Sequence, residues 1–112
     1  MATVDSVIKS VKNRPENISP KLICKWLGEL DKKISHELRH NNDFVPYSFP
    51  EDVEKELIVK SPHDNIYRLY IYAMIDFFSG ELAKYSSSAV LFEQAYAEYK
   101  KTLQMEQEEL NG

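Results

Sequence analysis

Residues 57–99 read LIVKSPHDNIYRLYIYAMIDFFSGELAKYSSSAVLFEQAYAEY, and this stretch decides the fold. It holds six of the seven tyrosines and three of the five phenylalanines, with polar breaks at Ser61-Pro62 and Ser86-Ser87-Ser88. Ser61-Pro62-His63-Asp64 has the make-up of a helix start: serine as N-cap, proline at the first helical position, and an acid at the third as in a capping box. From Ile66 to Phe78 only Arg68 and Asp76 are charged, so apolar residues cover nearly every face of this helix. Such a helix is either the centre of a core or part of a subunit interface, and periodicity leaves both open. The pattern predicts that it closes at Lys84 and Tyr85 and that the serine triplet caps the next helix. There Ala89, Phe92, Ala95, Tyr96, Tyr99 and Leu103 form an apolar stripe, with Glu93, Glu98, Lys100 and Lys101 outside. The stretch therefore reads as a long antiparallel helical hairpin over residues 57–103.

Two residues inside the hairpin stand out. Asp76 lies in an apolar helix, and a buried carboxylate needs partners; Arg68, Lys84 or a tyrosine hydroxyl could serve. Gly80 costs helix stability in mid-pattern, which points to a close helix crossing or a bend.

Upstream, Thr3 or Asp5 can cap a short helix with Val4, Val7, Ile8 and Val11 on one face, ended by Asn13-Arg14-Pro15. Ser19-Pro20 opens a second helix whose stripe is Ile23, Trp26, Leu27, Leu30, Ile34 and Leu38. It is expected to end near Arg39 or His40, before Asn41-Asn42-Asp43. Phe44 to Pro50, FVPYSFP, is too apolar for a plain solvated loop. Packing over the core is its default; alternatively Phe44, Tyr47 and Phe49 dock a partner. Glu51 to Glu56 could add a further turn. Beyond Leu103 the pattern fades into an acidic tail that is expected to fray.

The second helix contains a literal HExxH match, His36, Glu37 and His40. On a continuing helix such histidines share a face and can bind zinc, with the glutamate as general base. Here the helix is expected to end at the second histidine, Arg39 puts a cation beside the site, and only His63 or Glu54 offers a notional third ligand. The match reads as fortuitous, a polar helix end whose cations suit the macrodipole. No metal, no cofactor and no catalytic residue is assigned.

Composition sets the outer bounds. A chain of 112 residues forms one domain with a modest core, and 3 glycines are too few for a turn-rich β-sandwich. The class is all-α: a small helical bundle built on the hairpin, with a shorter N-terminal helix and one further helix. The longest uncharged run of the central helix, Leu69 to Ile75, is far short of a membrane span, and MATVDSVIKSVK lacks the apolar core of a signal peptide. Synthesis in a cytosol is the expectation. Cys24 is alone, so no intrachain disulfide forms, and its setting suits a packed thiol. A net charge of −4 argues against phosphate-backbone binding as the main business of the surface.

The hairpin also carries a resemblance. Leu57 with Pro62, Ile66-Tyr67, Tyr70, Ala73-Met74-Ile75-Asp76, Gly80-Glu81, Tyr85, Ser88, Phe92, Ala95-Tyr96 and Tyr99 resemble the head–tail connector (adaptor) proteins of long-tailed bacteriophages and prophages. Trp26 and Leu30 match a weaker upstream element. Serines stand at 79, 86 and 87, and Glu93 a little further on, where the family pattern has asparagine. The resemblance implies a structural, non-enzymatic virion protein of the neck, made in the bacterial host cytoplasm. It implies a ring of this chain with itself, usually twelve copies, below the portal protein. The ring extends the channel through which DNA passes and receives a stopper or tail-completion protein. On this reading Tyr67, Tyr70, Ile71, Met74 and Phe78 are candidates for the subunit interface. Phe44, Tyr47, Phe49, Gln107, Glu109 and Leu110 are candidates for docking partners. Two rivals come from other classes: a small HExxH zinc hydrolase, and a generic helical interaction module.

Overall fold

A computed structural model of the chain describes residues 2–11 and 18–111, with the side chains of all but 110 and 111. Among the described residues four helices follow one another: α1 (Val4–Ser10), α2 (Pro20–Leu38), α3 (Asn65–Phe78) and α4 (Leu82–Asn111). The all-α bundle read from the sequence is therefore the fold. Among the described residues no helix is long and apolar enough to cross a membrane.

Local chemistry sets the starts of α1 and α2. Thr3 caps α1 through a reciprocal box with Ser6, its hydroxyl accepting from the Ser6 amide while the Ser6 hydroxyl accepts from the Thr3 amide. Ser19 accepts from the Leu22 amide at 3.1 Å, and Pro20 takes the first helical position. The expected stop of α1 at Asn13-Arg14-Pro15 lies outside the described residues. Val11 already caps its C-terminus.

The hairpin is antiparallel, and three aromatic pairs give its register. His63 faces Tyr99, Tyr70 faces Phe92 and Phe77 faces Tyr85, with ring centroids 5.8, 5.0 and 5.2 Å apart. Each step of seven residues up one arm is a step of seven down the other, two helical turns at a time. Three boundaries differ from expectation. First, α3 begins at Asn65, not at Ser61-Pro62; residues 60–64 instead form turns that let Leu57 and Val59 enter the core. Second, α3 ends at Phe78 and the serine triplet lies inside α4, with the Ser86 hydroxyl donating back to the Leu82 carbonyl at 3.1 Å. Serine can satisfy its hydroxyl on its own helix, so a serine run need not be a cap. The real stop is Gly80, at φ 74°: its amide donates to the Phe77 carbonyl and the Glu81 amide to the Asp76 carbonyl, a Schellman turn. Gly80 thus serves backbone conformation and not a close crossing, since a β-carbon there would meet nothing within 4 Å. Third, α4 continues through the acidic segment to Asn111, where a frayed tail was expected; glutamate, glutamine, methionine and leucine are all good helix formers.

The core is one cluster drawing on all four helices and on Ile18, Leu57 and Val59. The central helix is buried on more than one side within a single chain: Ile66, Tyr67 and Ile71 are fully covered, between α4 on one flank and α2 and α1 on the other. Residues 2–5 pair with 53–57 in an extended crossing, the Val4, Asp5 and Leu57 amides donating to Lys55, Val53 and Ala2. At about 1.5 Å per residue, the 30 residues of α4 span nearly the whole 50 Å long axis.

Candidate functional site

Three regions carry the side chains singled out in the sequence. The first is the hairpin. Tyr67 and Ile71, expected at a subunit interface, are instead fully buried within the chain, because α3 is the middle layer of the bundle. Tyr70 and Met74 are half-buried, and Phe78 is 54 % exposed with its edge on the Trp26 ring. Exposed apolar surface gathers where the hairpin turns: Phe77 at 57 % and Leu82 at 64 % join Phe78, with Tyr72 one helical turn or more away. Val90 and Leu91, two turns further along α4, are also more than half exposed. Asp76 has a structural partner, but not Arg68, Lys84 or a tyrosine as expected: the Ser88 hydroxyl donates to it at 2.6 Å across the hairpin.

The second region is the connector 44–60, which sequence reasoning left open. It packs. Tyr47 is half-buried with its hydroxyl donating to Asp31 at 2.5 Å, Phe44 sits edge-on to Tyr47, and Phe49 lies half-buried against the core. Asp31 was missed in the sequence because it stands in the charged run Glu29-Leu30-Asp31-Lys32-Lys33. Its side chain is fully buried. One oxygen accepts from Tyr47 and from the Ile58 amide at 3.2 Å; the other accepts from the Tyr67 hydroxyl at 2.7 Å. Tyr67 in turn accepts from the Val59 amide at 2.7 Å. Burial pushes the Asp31 carboxyl above its ordinary value, and the three donors oppose that rise. Burial and the facing carboxylate push both tyrosine hydroxyls well up, so they stay protonated donors. The network binds the connector to α2 and α3 at once, and among the described residues no buried side-chain polar atom lacks a partner.

Between the connector and the first half of α2 runs a groove of about 890 Å³ with an apolar lining of Leu22, Cys24, Pro46, Tyr47 and Phe49. Gly28 makes its wall possible, because a β-carbon there would lie 3.0 Å from the Tyr47 nitrogen and 3.1 Å from the Pro46 β-carbon. Burial also pushes the Cys24 thiol up, away from the thiolate a nucleophile needs.

The third region is the far end of α2. The helix stops at Leu38, Arg39 caps it, and His40 has φ 53°, so His36 and His40 do not share a helical face. His36 pairs with Asn42, Glu37 accepts from the Tyr96 hydroxyl at 2.9 Å, and Arg39 donates to the Tyr99 hydroxyl at 2.9 Å. Glu37 and Arg39 thus seat α4, while His36 bonds the turn that follows α2. Among the described residues no group of three or more His, Cys, Asp or Glu could hold a metal ion. Gln107 lines a small cleft with Leu38 and His40, Glu109 is exposed, and the Leu110 side chain lies outside the described residues.

No protein-family model, no curated protein and no solved structure matches the chain.

Proposed function

We propose that the chain is a structural subunit of a head–tail connector, assembling with itself into a ring below a portal protein through which DNA passes. One observation carries this reading most directly: Phe77, Phe78 and Leu82 each expose more than half of their surface at the tip of the hairpin that bears the connector resemblance. Side chains of this size clustered in the open favour a protein interface over a solvated end. An interface between two different patches of the same chain closes into a ring when its rotation divides the circle. The net charge of −4 suits a channel wall that does not hold DNA by counterion release. The interface assignment accordingly drops Tyr67 and Ile71, keeps Phe78 and adds Phe77 and Leu82, with Tyr70 and Met74 at its margin. Native mass spectrometry and negative-stain imaging of the purified chain, alone and mixed with the portal protein of the same genome, test the reading. Rings or a portal complex are expected. A chain that stays monomeric and binds no portal refutes it.

A further inference from the structure

We propose that the acidic end of α4 in one copy lies in the groove between α2 and the connector of a second copy. This rests on the reading of the chain as a self-assembling subunit and names a second contact between subunits, in addition to the hairpin tip. Position within the chain comes first. Lys33 lies over the Tyr96 ring, Glu37 bonds Tyr96, Arg39 bonds Tyr99, and Gln104 and Gln107 flank Leu38. Helix α4 therefore runs alongside α2 in the same direction and passes its C-terminal end. The groove lies at the opposite end of α2, between Ser19 and Glu29. The 19 residues of α2 span roughly 28 Å, and α4 is still leading away at its last turn. Its end cannot fold back into the chain's own groove. A second copy, displaced along this axis, brings the two together.

Chemistry comes second. Residues 104–109 are all exposed, and after Lys101 the segment carries Glu106, Glu108 and Glu109 with no cation. Met105 is 53 % exposed, and Glu108 and Glu109 stand one turn on, to either side of it. This face offers an unbranched apolar side chain flanked by two carboxylates. The groove offers an apolar lining, and methionine adapts to such irregular surfaces. Along the outer row of α2 beside it stand Lys21, Lys25 and Lys32, all exposed, against one carboxylate, Glu29. Glu51 also lines the groove, so the attraction comes from the lysine row and not from the groove as a whole. The two surfaces differ, so the contact is heterologous, the kind a ring requires.

The test is a charge exchange in the full-length chain, read by sedimentation velocity over a concentration series. Lys21→Glu with Lys25→Glu, and separately Glu108→Lys with Glu109→Lys, should each weaken self-association about tenfold, as loss of rim charge complementarity does. The four changes combined in one chain should restore it to within about threefold. All four side chains are exposed, so the circular dichroism spectrum and melting temperature report that each variant is folded. Association unchanged by the two double variants, or not recovered in the combined one, overturns the inference while leaving the connector reading intact. A wild-type chain with no self-association at any concentration also overturns it; portal binding then decides the connector reading separately.

Discussion

Tyr67→Phe is the sharpest probe of the buried network, because it deletes one oxygen and leaves the ring. That oxygen accepts from the Val59 amide and donates to Asp31. Without it the Val59 N–H, at a residue with no exposed surface, is left unpaired, which costs about 1–3 kcal/mol. Asp31 keeps two of its three donors, and the lost bond to a charged group adds about 1.5–3 kcal/mol. The expected destabilisation is about 2.5–6 kcal/mol, a large share of the roughly 5–15 kcal/mol that holds a domain together. In a chain of 112 residues this lowers the melting temperature by about 10–24 °C. Urea unfolding followed at 222 nm gives the free energy, and an unchanged slope shows that the unfolded state is not what moved. Tyr47→Phe is the control: it removes one bond at a half-buried ring and should cost about 1–2 kcal/mol. A Tyr67→Phe cost below about 1 kcal/mol, or no larger than that of Tyr47→Phe, refutes the account.

Three other perturbations follow from the same geometry. Burial raises the Asp31 carboxyl, so its protonation contributes stability below the unfolded value near 4, and that contribution fades as pH rises through the folded value. The stability of wild type minus that of Asp31→Asn should therefore fall as pH rises from about 4 and then level; a flat difference refutes the raised carboxyl. Gly28→Ala places a methyl against the Tyr47 backbone and should lower stability by about 1 kcal/mol net, overpacking outweighing the roughly 1 kcal/mol of helix propensity gained; a higher melting temperature would show the connector yields. Phe77→Ser with Leu82→Ser should leave stability within about 0.5 kcal/mol while reducing self-association in native mass spectrometry; unchanged assembly removes the hairpin tip from the interface.

The helices that announce themselves by caps and single-sided stripes were legible. Ser19-Pro20 and the stripe from Ile23 to Leu38 give α2 nearly to the residue, because a local bond and a local period fix them. The hairpin was legible as a pair of apolar arms, but its turn was not: Ser86-Ser87-Ser88 mimics a cap, and Gly80 mimics a mid-helix packing residue until its φ is known. Asp31 could have been found. Leu27, Leu30, Asp31 and Ile34 share one face at helical spacing, and Cys24, Gly28, Asp31 and Ser35 run beside them as a second buried column of small or polar residues. What the column faces is a connector with no period of its own, so its partners Tyr47 and Tyr67 lie beyond local pattern. The same holds for exposure. A helix apolar all round could be core or interface, and only the packing of α4, α2 and α1 around α3 decides that Tyr67 and Ile71 are interior while Phe77 is not.

The binding of Ile58 and Val59 to Asp31 and Tyr67 also sets how the molecule breathes. Irregular segments usually exchange their amide hydrogens through small local openings, at rates far above those of the core. Here the Leu57, Ile58 and Val59 amides are bound in turn to the Ala2 carbonyl ahead of α1, to α2 and to α3, three pieces of chain distant in sequence. None of them can be freed by fraying one helix, since each opening requires elements to separate. Deuterium should therefore enter this loop as slowly as it enters the middle of α3, with the connector and the helices opening as one cooperative unit.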